Sequence, residues 1–197
     1  MVLGCLAIYD ATLGLEVVST ENGRRLEIAR TPRELPQANM DLPTNPSLSE
    51  WLKADGRVTI VAFIYTKCTS IFSVIGSEFQ QMQAAINERG LRNNVRLLSI
   101  SFDPSDSQLQ LAAYASRQKA DPAVWQLVGL SSPEETKLVL ETFGIVVVPT
   151  PLGEFNHNAA FHIVDSKARL AKIVDFEDPA RALEEAIAMD KRQRAGS

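Results

Sequence analysis

The sequence predicts an α/β fold in which a mixed central sheet is flanked by helices. Two continuously apolar segments rich in β-branched residues, 57–65 and 95–102, are each followed by a segment of helical character. Two neighbouring apolar segments nearer the C-terminus, 158–165 and 168–175, predict a pair of strands joined as a β-hairpin. Strands linked through helices, combined with a hairpin, produce a sheet of mixed strand direction.

The two strand–helix units carry the clearest patterns. Residues 57–65 are almost continuously apolar, which is typical of a strand buried on both faces. In residues 70–90 apolar side chains recur at spacings of three and four, which predicts an amphipathic helix that stops at Gly90. Strand 95–102 leads into residues 103–118, which open with turn and capping residues and continue as a helix.

The C-terminal half supplies the remaining elements. Residues 125–127 predict a short strand, and "SPEE" at 132–135 is a capping box that opens a helix through about Thr142. Residues 178–193 start with a capping Asp and a Pro and predict a final amphipathic helix. This order of strands and helices is that of thioredoxin-like folds.

The N-terminal part of the chain follows a different pattern. Residues 1–34 predict a separate segment ahead of a thioredoxin-like domain that covers residues 35–197. Within it, residues 15–30 are interpreted as two short strands around Asn22-Gly23, so that a β-hairpin extends the fold. Residues 31–50 are rich in Pro, Asn and Ser and predict an irregular lead-in.

Composition excludes several classes of function. The chain has 197 residues, 45% of them hydrophobic, a net charge of −4 and a pI near 5.3. Such an acidic balance argues against a nucleic-acid-binding protein, whose affinity would come from Lys and Arg on phosphates. Two cysteines, Cys5 and Cys68, cannot form a disulfide scaffold, and the role of Cys5 stays open. The apolar start "MVLGCLAI" is shorter than the roughly 20 residues of a membrane-spanning helix, and it is compatible with the trimmed end of an anchor.

Cys68 lies between the end of a predicted buried strand and the first turn of a predicted helix. Amides at a helix N-terminus favour an anion, so a thiolate in that place is stabilised and the pKa of the thiol falls. A single cysteine can also be a small buried hydrophobic residue. The location favours a chemical role for this thiol.

Four segments resemble the Sco/SenC family of thioredoxin-fold proteins. They are "VAFIYTKCTSIFSVIGSEFQQMQ", "RLLSISFDPSD", "YASRQKAD" and "GEFNHNAAFHIVD", in order and with plausible spacing, and the resemblance covers about residues 35 to 177. It implies that the chain binds copper, as Cu(I) or Cu(II), and helps to assemble the CuA centre of cytochrome c oxidase. It further implies a partner that is an oxidase subunit or another copper chaperone. It also implies a location on the periplasmic side of a bacterial inner membrane, and the role of an anchored metallochaperone more than that of an enzyme.

The family's metal site has two cysteines in a C-P-x-x-C-P loop and a distant histidine. The resemblance assigns the first cysteine to Cys68 and the histidine to His157, while Phe72 replaces the second cysteine. Because Phe72 can neither bind a metal nor form a disulfide, disulfide cycling within this loop is excluded. Further departures occur at Thr69, Ser73, Asn156 and Asn158.

Cys68 and His157 are therefore the metal ligands that remain. A soft thiolate selects Cu(I) and imidazole suits both oxidation states, so weak copper binding by two ligands is compatible with this sequence. Met40 and Met82 are candidate third ligands by residue type alone, and Met82 is expected to pack in the core.

Two other polar residues, His162 and Asp103, are considered for this site. His162 follows His157 by five positions and is expected to be a packed, hydrogen-bonded strand histidine, not a ligand. Asp103, in "FDPSD", is either a residue at a helix start or a polar group beside the metal. We expect the second role for Asp103.

Three functions are compatible with these residues. The first is a Sco-like copper-binding and copper-delivery protein whose site is impaired to one cysteine. The second is a one-thiol redox protein, peroxidase-like or thiol-transferring, and the third is a scaffold on a thioredoxin fold that has lost its chemistry. The family function is favoured.

Overall fold

The architecture is a mixed sheet between two layers of helices. The computed structural model describes residues 20–67, 72–150 and 155–196. The strands are β1 Arg33–Glu34, β2 Val58–Ile64, β3 Val95–Ser101, β4 Trp125–Val128, β5 Val147–Pro149, β6 Phe155–His157, β7 Ala160–Val164 and β8 Arg169–Asp175. The helices are α1 Thr20–Arg30, α2 Leu48–Asp55, α3 Phe72–Glu88, α4 Gln108–Arg117, α5 Pro133–Phe143 and α6 Pro179–Ala195.

Six strands form the main sheet in the order β1-β8-β7-β2-β3-β4. The pairs β2–β3 and β3–β4 are parallel, whereas β2–β7, β7–β8 and β1–β8 are antiparallel. Strands β5 and β6 form a separate two-stranded antiparallel sheet. The predicted α/β fold with a mixed central sheet is confirmed.

Helices cover both faces of the sheet, which explains why its central strands are apolar along their whole length. All seven residues of β2 are buried, and so are all seven of β3. On one face α3 and α6 pack, with the Phe79 ring against Trp125 and Phe161 at centroid distances of 5.4 and 5.7 Å. Residues of α1, α2 and α5 cover the other face. Each large side chain buried in this way contributes about 1.5–3 kcal/mol.

The predicted N-terminal β-hairpin is wrong where the structure describes it. Residues 20–30 form α1, and Asn22-Gly23 lies inside that helix; residues 15–19 lie outside the described part of the chain. Two features favour the helix. Glu21 pairs with Arg24 and Arg25 at helical spacing, and Ile28 is fully buried in the core. Burial of a helical face thus overrides the local turn signal.

The other predicted elements lie close to their predicted ranges, but α2, β5 and β6 were not predicted. Residues 31–50 contain β1 and the start of α2, so they are not wholly irregular. The predicted capping box at 132–135 is half formed, because the Ser132 hydroxyl accepts from the Glu135 amide while the Glu135 carboxylate accepts from the Asn39 amide instead. Among the described helices, none is long and apolar enough to cross a membrane.

Candidate metal centre

The segment that contains Cys68 is flanked by a buried strand and a helix. β2 ends at Ile64, and the backbone of α3 begins at Phe72. Cys68 itself and the side chain of Phe72 lie outside the described residues. The described flanks have the predicted secondary structure, a strand before Cys68 and a helix after it.

A buried carboxylate anchors the turn just before Cys68. Asp106 accepts hydrogen bonds from the Thr66 amide at 2.8 Å, from the Thr66 hydroxyl and from the Ser101 hydroxyl at 2.6 Å. The next residue, Lys67, donates its ammonium to the Ser105 hydroxyl at 2.8 Å. Thr66 and Lys67, the two residues directly before Cys68, are therefore hydrogen-bonded to the loop that follows β3.

His157 is the last residue of β6 and pairs with Val147 of β5. Its half-buried ring meets the Phe102 ring nearly edge-on, at a centroid distance of 4.9 Å. Burial lowers the pKa of the His157 imidazole below its ordinary value, and the contact with the Asn158 carbonyl opposes this shift only in part. The ring is consequently neutral at neutral pH, which is the form that binds a metal ion.

An aromatic cluster of Tyr65, Phe102 and Phe155 connects the two predicted ligand positions. The Tyr65 ring lies 5.6 Å from Phe102 and 5.4 Å from Phe155, centroid to centroid, and Phe102 and Phe155 are 5.6 Å apart. Tyr65 comes three positions before Cys68, and Phe102 also contacts His157. The fold thus packs the flank of Cys68 and the strand of His157 around one set of rings.

The other predicted site residues fall into different surroundings. Asp103 is buried beside Phe102 and its carboxylate accepts from the Ser105 amide at 2.8 Å, as at a turn. Its role beside a metal stays a prediction. Met40 and Met82 are both buried in the hydrophobic core, in the two clusters on opposite faces of the sheet. Met82 packs as expected, and Met40 does the same.

His162 lies on β7, one strand further along the chain than His157, and is completely buried. Its ring is held edge-on by Phe63 at 5.7 Å and Phe143 at 5.3 Å. The predicted packing is confirmed, but the predicted hydrogen bond is wrong: neither ring nitrogen has a partner among the described residues. The Val61 backbone, on the neighbouring strand β2, favours the charged ring without meeting the geometry of a hydrogen bond.

The structural roles of two residues near the site were not predicted from the sequence. Asp106 is the second Asp of "FDPSD", and its distance in sequence from Thr66 hid the pairing. Asn158 looked like a departure from the family pattern, yet its side chain makes two hydrogen bonds. Within the described ranges, which omit Cys68, no group of three or more His, Cys, Asp or Glu side chains could hold a metal ion.

Comparison with protein families and solved structures gives a consistent result. The family model described as SCO1/SenC matches residues 47–190. No curated protein matches the sequence.

Three solved structures illustrate the similarity. The SCO1/SenC family lipoprotein from Bacillus anthracis str. Ames is 23% identical with a TM-score of 0.65, over 80% of this chain and 98% of that one. BsSco, a member of the Sco family of cytochrome c oxidase assembly proteins in which a disulfide switch was identified, is 21% identical with a TM-score of 0.63, over 81% and 96%. ScoI from Bradyrhizobium japonicum, solved with copper bound, is 25% identical with a TM-score of 0.56, over 81% and 98%. The chain shares their thioredoxin-like fold.

Proposed function

The chain belongs to the SCO1/SenC family, and we propose that it binds copper and assists the assembly of the CuA centre of cytochrome c oxidase through a site reduced to Cys68 and His157. Two relatives support the chemistry. ScoI from Bradyrhizobium japonicum has copper bound, and BsSco is a member of a family of cytochrome c oxidase assembly proteins. The copper ion is cargo in this proposal, and its recipient is an oxidase subunit or another copper chaperone.

The observation that carries the proposal is the aromatic cluster of Tyr65, Phe102 and Phe155. It packs the segment three residues before Cys68 against the strand that ends in His157. A metal ion held by two residues far apart in sequence needs such a fixed spatial relation. Asp106 adds to this fixed relation, because its two hydrogen bonds to Thr66 hold the backbone two residues before Cys68.

The donor set suits Cu(I). A thiolate is the soft ligand that selects this ion, and a neutral imidazole is a second compatible ligand. Burial lowers the pKa of the His157 imidazole, which favours the neutral ring. Cys68 would supply the thiolate, since a helix N-terminus favours the anion. Two ligands give weaker binding than three, and a weakly held ion is more easily passed on.

The same loop excludes one activity of related proteins. A dithiol–disulfide cycle within the loop needs two cysteines, and Phe72 occupies the position of the second. A disulfide switch of the kind identified in BsSco therefore has no partner thiol in this loop. In this proposal the protein binds and delivers copper without cycling its loop between dithiol and disulfide.

The proposal also includes a cellular location. The protein acts on the periplasmic side of a bacterial inner membrane, to which it is anchored. The relative from Bacillus anthracis, a lipoprotein, supports membrane anchoring.

The experiment that tests the proposed function is a titration of Cu(I) against a competing chelator. It compares the unaltered protein with Cys68→Ala and His157→Ala, and it uses Cys5→Ala as the control for loss of a thiol elsewhere. Removal of either ligand lowers the Cu(I) affinity by about tenfold or more, whereas Cys5→Ala leaves it unchanged. Equal affinities in all four proteins would rule out copper binding at this site.

A further inference from the structure

We propose that Asn158 is the positioning residue for His157, in that it fixes both the place of the imidazole and the ring nitrogen that carries the hydrogen. The inference rests on the proposed function of His157 as a copper ligand. It assigns a role to a residue that, by sequence, is one of the departures from the family pattern.

The side chain of Asn158 closes the base of the β5–β6 hairpin. Its Oδ1 accepts a hydrogen bond from the Val146 amide at 2.7 Å, and its Nδ2 donates to the Gly144 carbonyl at 2.9 Å. Val147 and His157 are the backbone pair next to it in register. The carboxamide thus continues the pairing of β5 with β6 by one residue beyond the Val147–His157 pair. It connects the end of β6 to the segment between α5 and β5.

The segment between α5 and β5 is also held by α1. Arg24 of α1 donates from Nη1 to the Phe143 carbonyl at 2.6 Å, and the two oxygens of Glu21 hold its guanidinium at 2.7 and 2.9 Å. Gly144 has a φ of 68°, in the left-handed region, and a Cβ there would collide with the Arg24 guanidinium. Asn158 is therefore hydrogen-bonded to a segment that is itself held in place, the C-terminal end of α5.

The backbone of Asn158 acts on the ring directly. Its carbonyl oxygen lies 3.3 Å from Nδ1 of His157. A carbonyl oxygen only accepts, so at this contact Nδ1 carries the hydrogen and the lone pair of the neutral ring is on Nε2. Metal-binding histidines are commonly oriented in this way by a carbonyl that accepts from the other ring nitrogen.

Asn156 provides the matched control. It is the same residue type two positions earlier, within β6, and its side chain is exposed. Its partner in the β5–β6 ladder is Val148. Replacement of Asn156 changes composition and exposed surface as replacement of Asn158 does, without removing the bonds to Val146 and Gly144.

The first measurement needs no metal. Long-range ¹H–¹⁵N correlation spectra of ¹⁵N-histidine-labelled protein report the tautomer of His157 in the unaltered protein, Asn158→Ala, Asn158→Asp and Asn156→Ala. We expect the Nδ1–H tautomer alone in the unaltered protein and in Asn156→Ala, and a mixture of both tautomers in Asn158→Ala. Asn158→Asp keeps the acceptor for the Val146 amide but loses the donor to Gly144, so its spectrum falls between the two.

The second measurement is the Cu(I) affinity of the same four proteins. Asn158→Ala lowers the affinity by about tenfold or more relative to Asn156→Ala. An identical single tautomer in Asn158→Ala and the unaltered protein would overturn the positioning role, whatever the copper result. A changed tautomer with unchanged affinity would support positioning while showing that His157 is not a copper ligand.

Discussion

The buried histidine of β7 makes the stability of the protein depend on pH in a predictable way. His162 is completely enclosed, and neither of its ring nitrogens has a hydrogen-bond partner within the described parts of the chain. Burial lowers the pKa of His162 from 6.5 to about 3; the charges of Arg24 and Arg25 act in the same direction, and that of Glu21 opposes them. The folded protein therefore keeps this ring neutral over most of the acidic range.

The sign and size of the effect follow from proton linkage. The folded-state pKa lies below the unfolded one, so the contribution of His162 to stability is fully present above pH 6.5. As the pH falls from 6.5 towards 3, the unfolded chain takes up a proton that the folded chain does not. Each pKa unit corresponds to about 1.4 kcal/mol, so His162 alone removes about 2 kcal/mol of stability between about pH 7 and about pH 5.

The substitution His162→Leu tests this value. Leucine has no polar atoms to leave unpaired, so the free energy of unfolding at neutral pH rises by about 1–3 kcal/mol. The advantage over the unaltered protein grows by about 2 kcal/mol more at about pH 5, because leucine takes up no proton. Urea unfolding with linear extrapolation, carried out at both pH values, measures both quantities.

The other histidine is the control for this experiment. His157 is only half-buried, and its pKa is lowered in the same direction. His157→Leu therefore removes a smaller part of the pH dependence than His162→Leu does. If the unaltered protein and His162→Leu lost the same stability between the two pH values, the neutral buried state of His162 would be refuted.

Four further substitutions have defined outcomes. Gly144→Ala lowers the free energy of unfolding by about 1–2 kcal/mol or more, because the left-handed backbone and the Arg24 guanidinium both oppose a Cβ; unchanged urea unfolding would contradict this. Asp106→Asn costs about 1–3 kcal/mol in the same assay, since three donors converge on that carboxylate, and Asp103→Asn costs less. Phe72→Cys raises the Cu(I) affinity well above that of the unaltered protein if the rest of the site is intact, and no gain would favour a scaffold.

The sheet and its flanking helices were predictable because their patterns are local. The apolar run of β2 and the three-and-four spacing of α3 each lie within one stretch of chain. The failure at α1 has a tertiary cause. Asn22-Gly23 favours a turn locally, but burial of Ile28 and the pairing of Glu21 with two arginines stabilise a helix.

The candidate site divides in a similar way. His157 was found through the resemblance of its segment to a family, and Cys68 through its place between strand and helix. The supporting residues carry no local signal, because their partners are distant: Asp106 bonds to a residue 40 positions away, and Asn158 to one 14 positions away. Only the folded chain shows that these polar side chains form hydrogen bonds beside the two predicted ligands.

The coordination of the copper ion itself tests the central claim most directly. X-ray absorption at the copper edge of Cu(I)-loaded protein should show one sulfur and one imidazole nitrogen, with the nitrogen lost in His157→Ala and the sulfur lost in Cys68→Ala. A spectrum with neither ligand, or one that both substitutions leave unchanged, would contradict a copper site shared by these two residues.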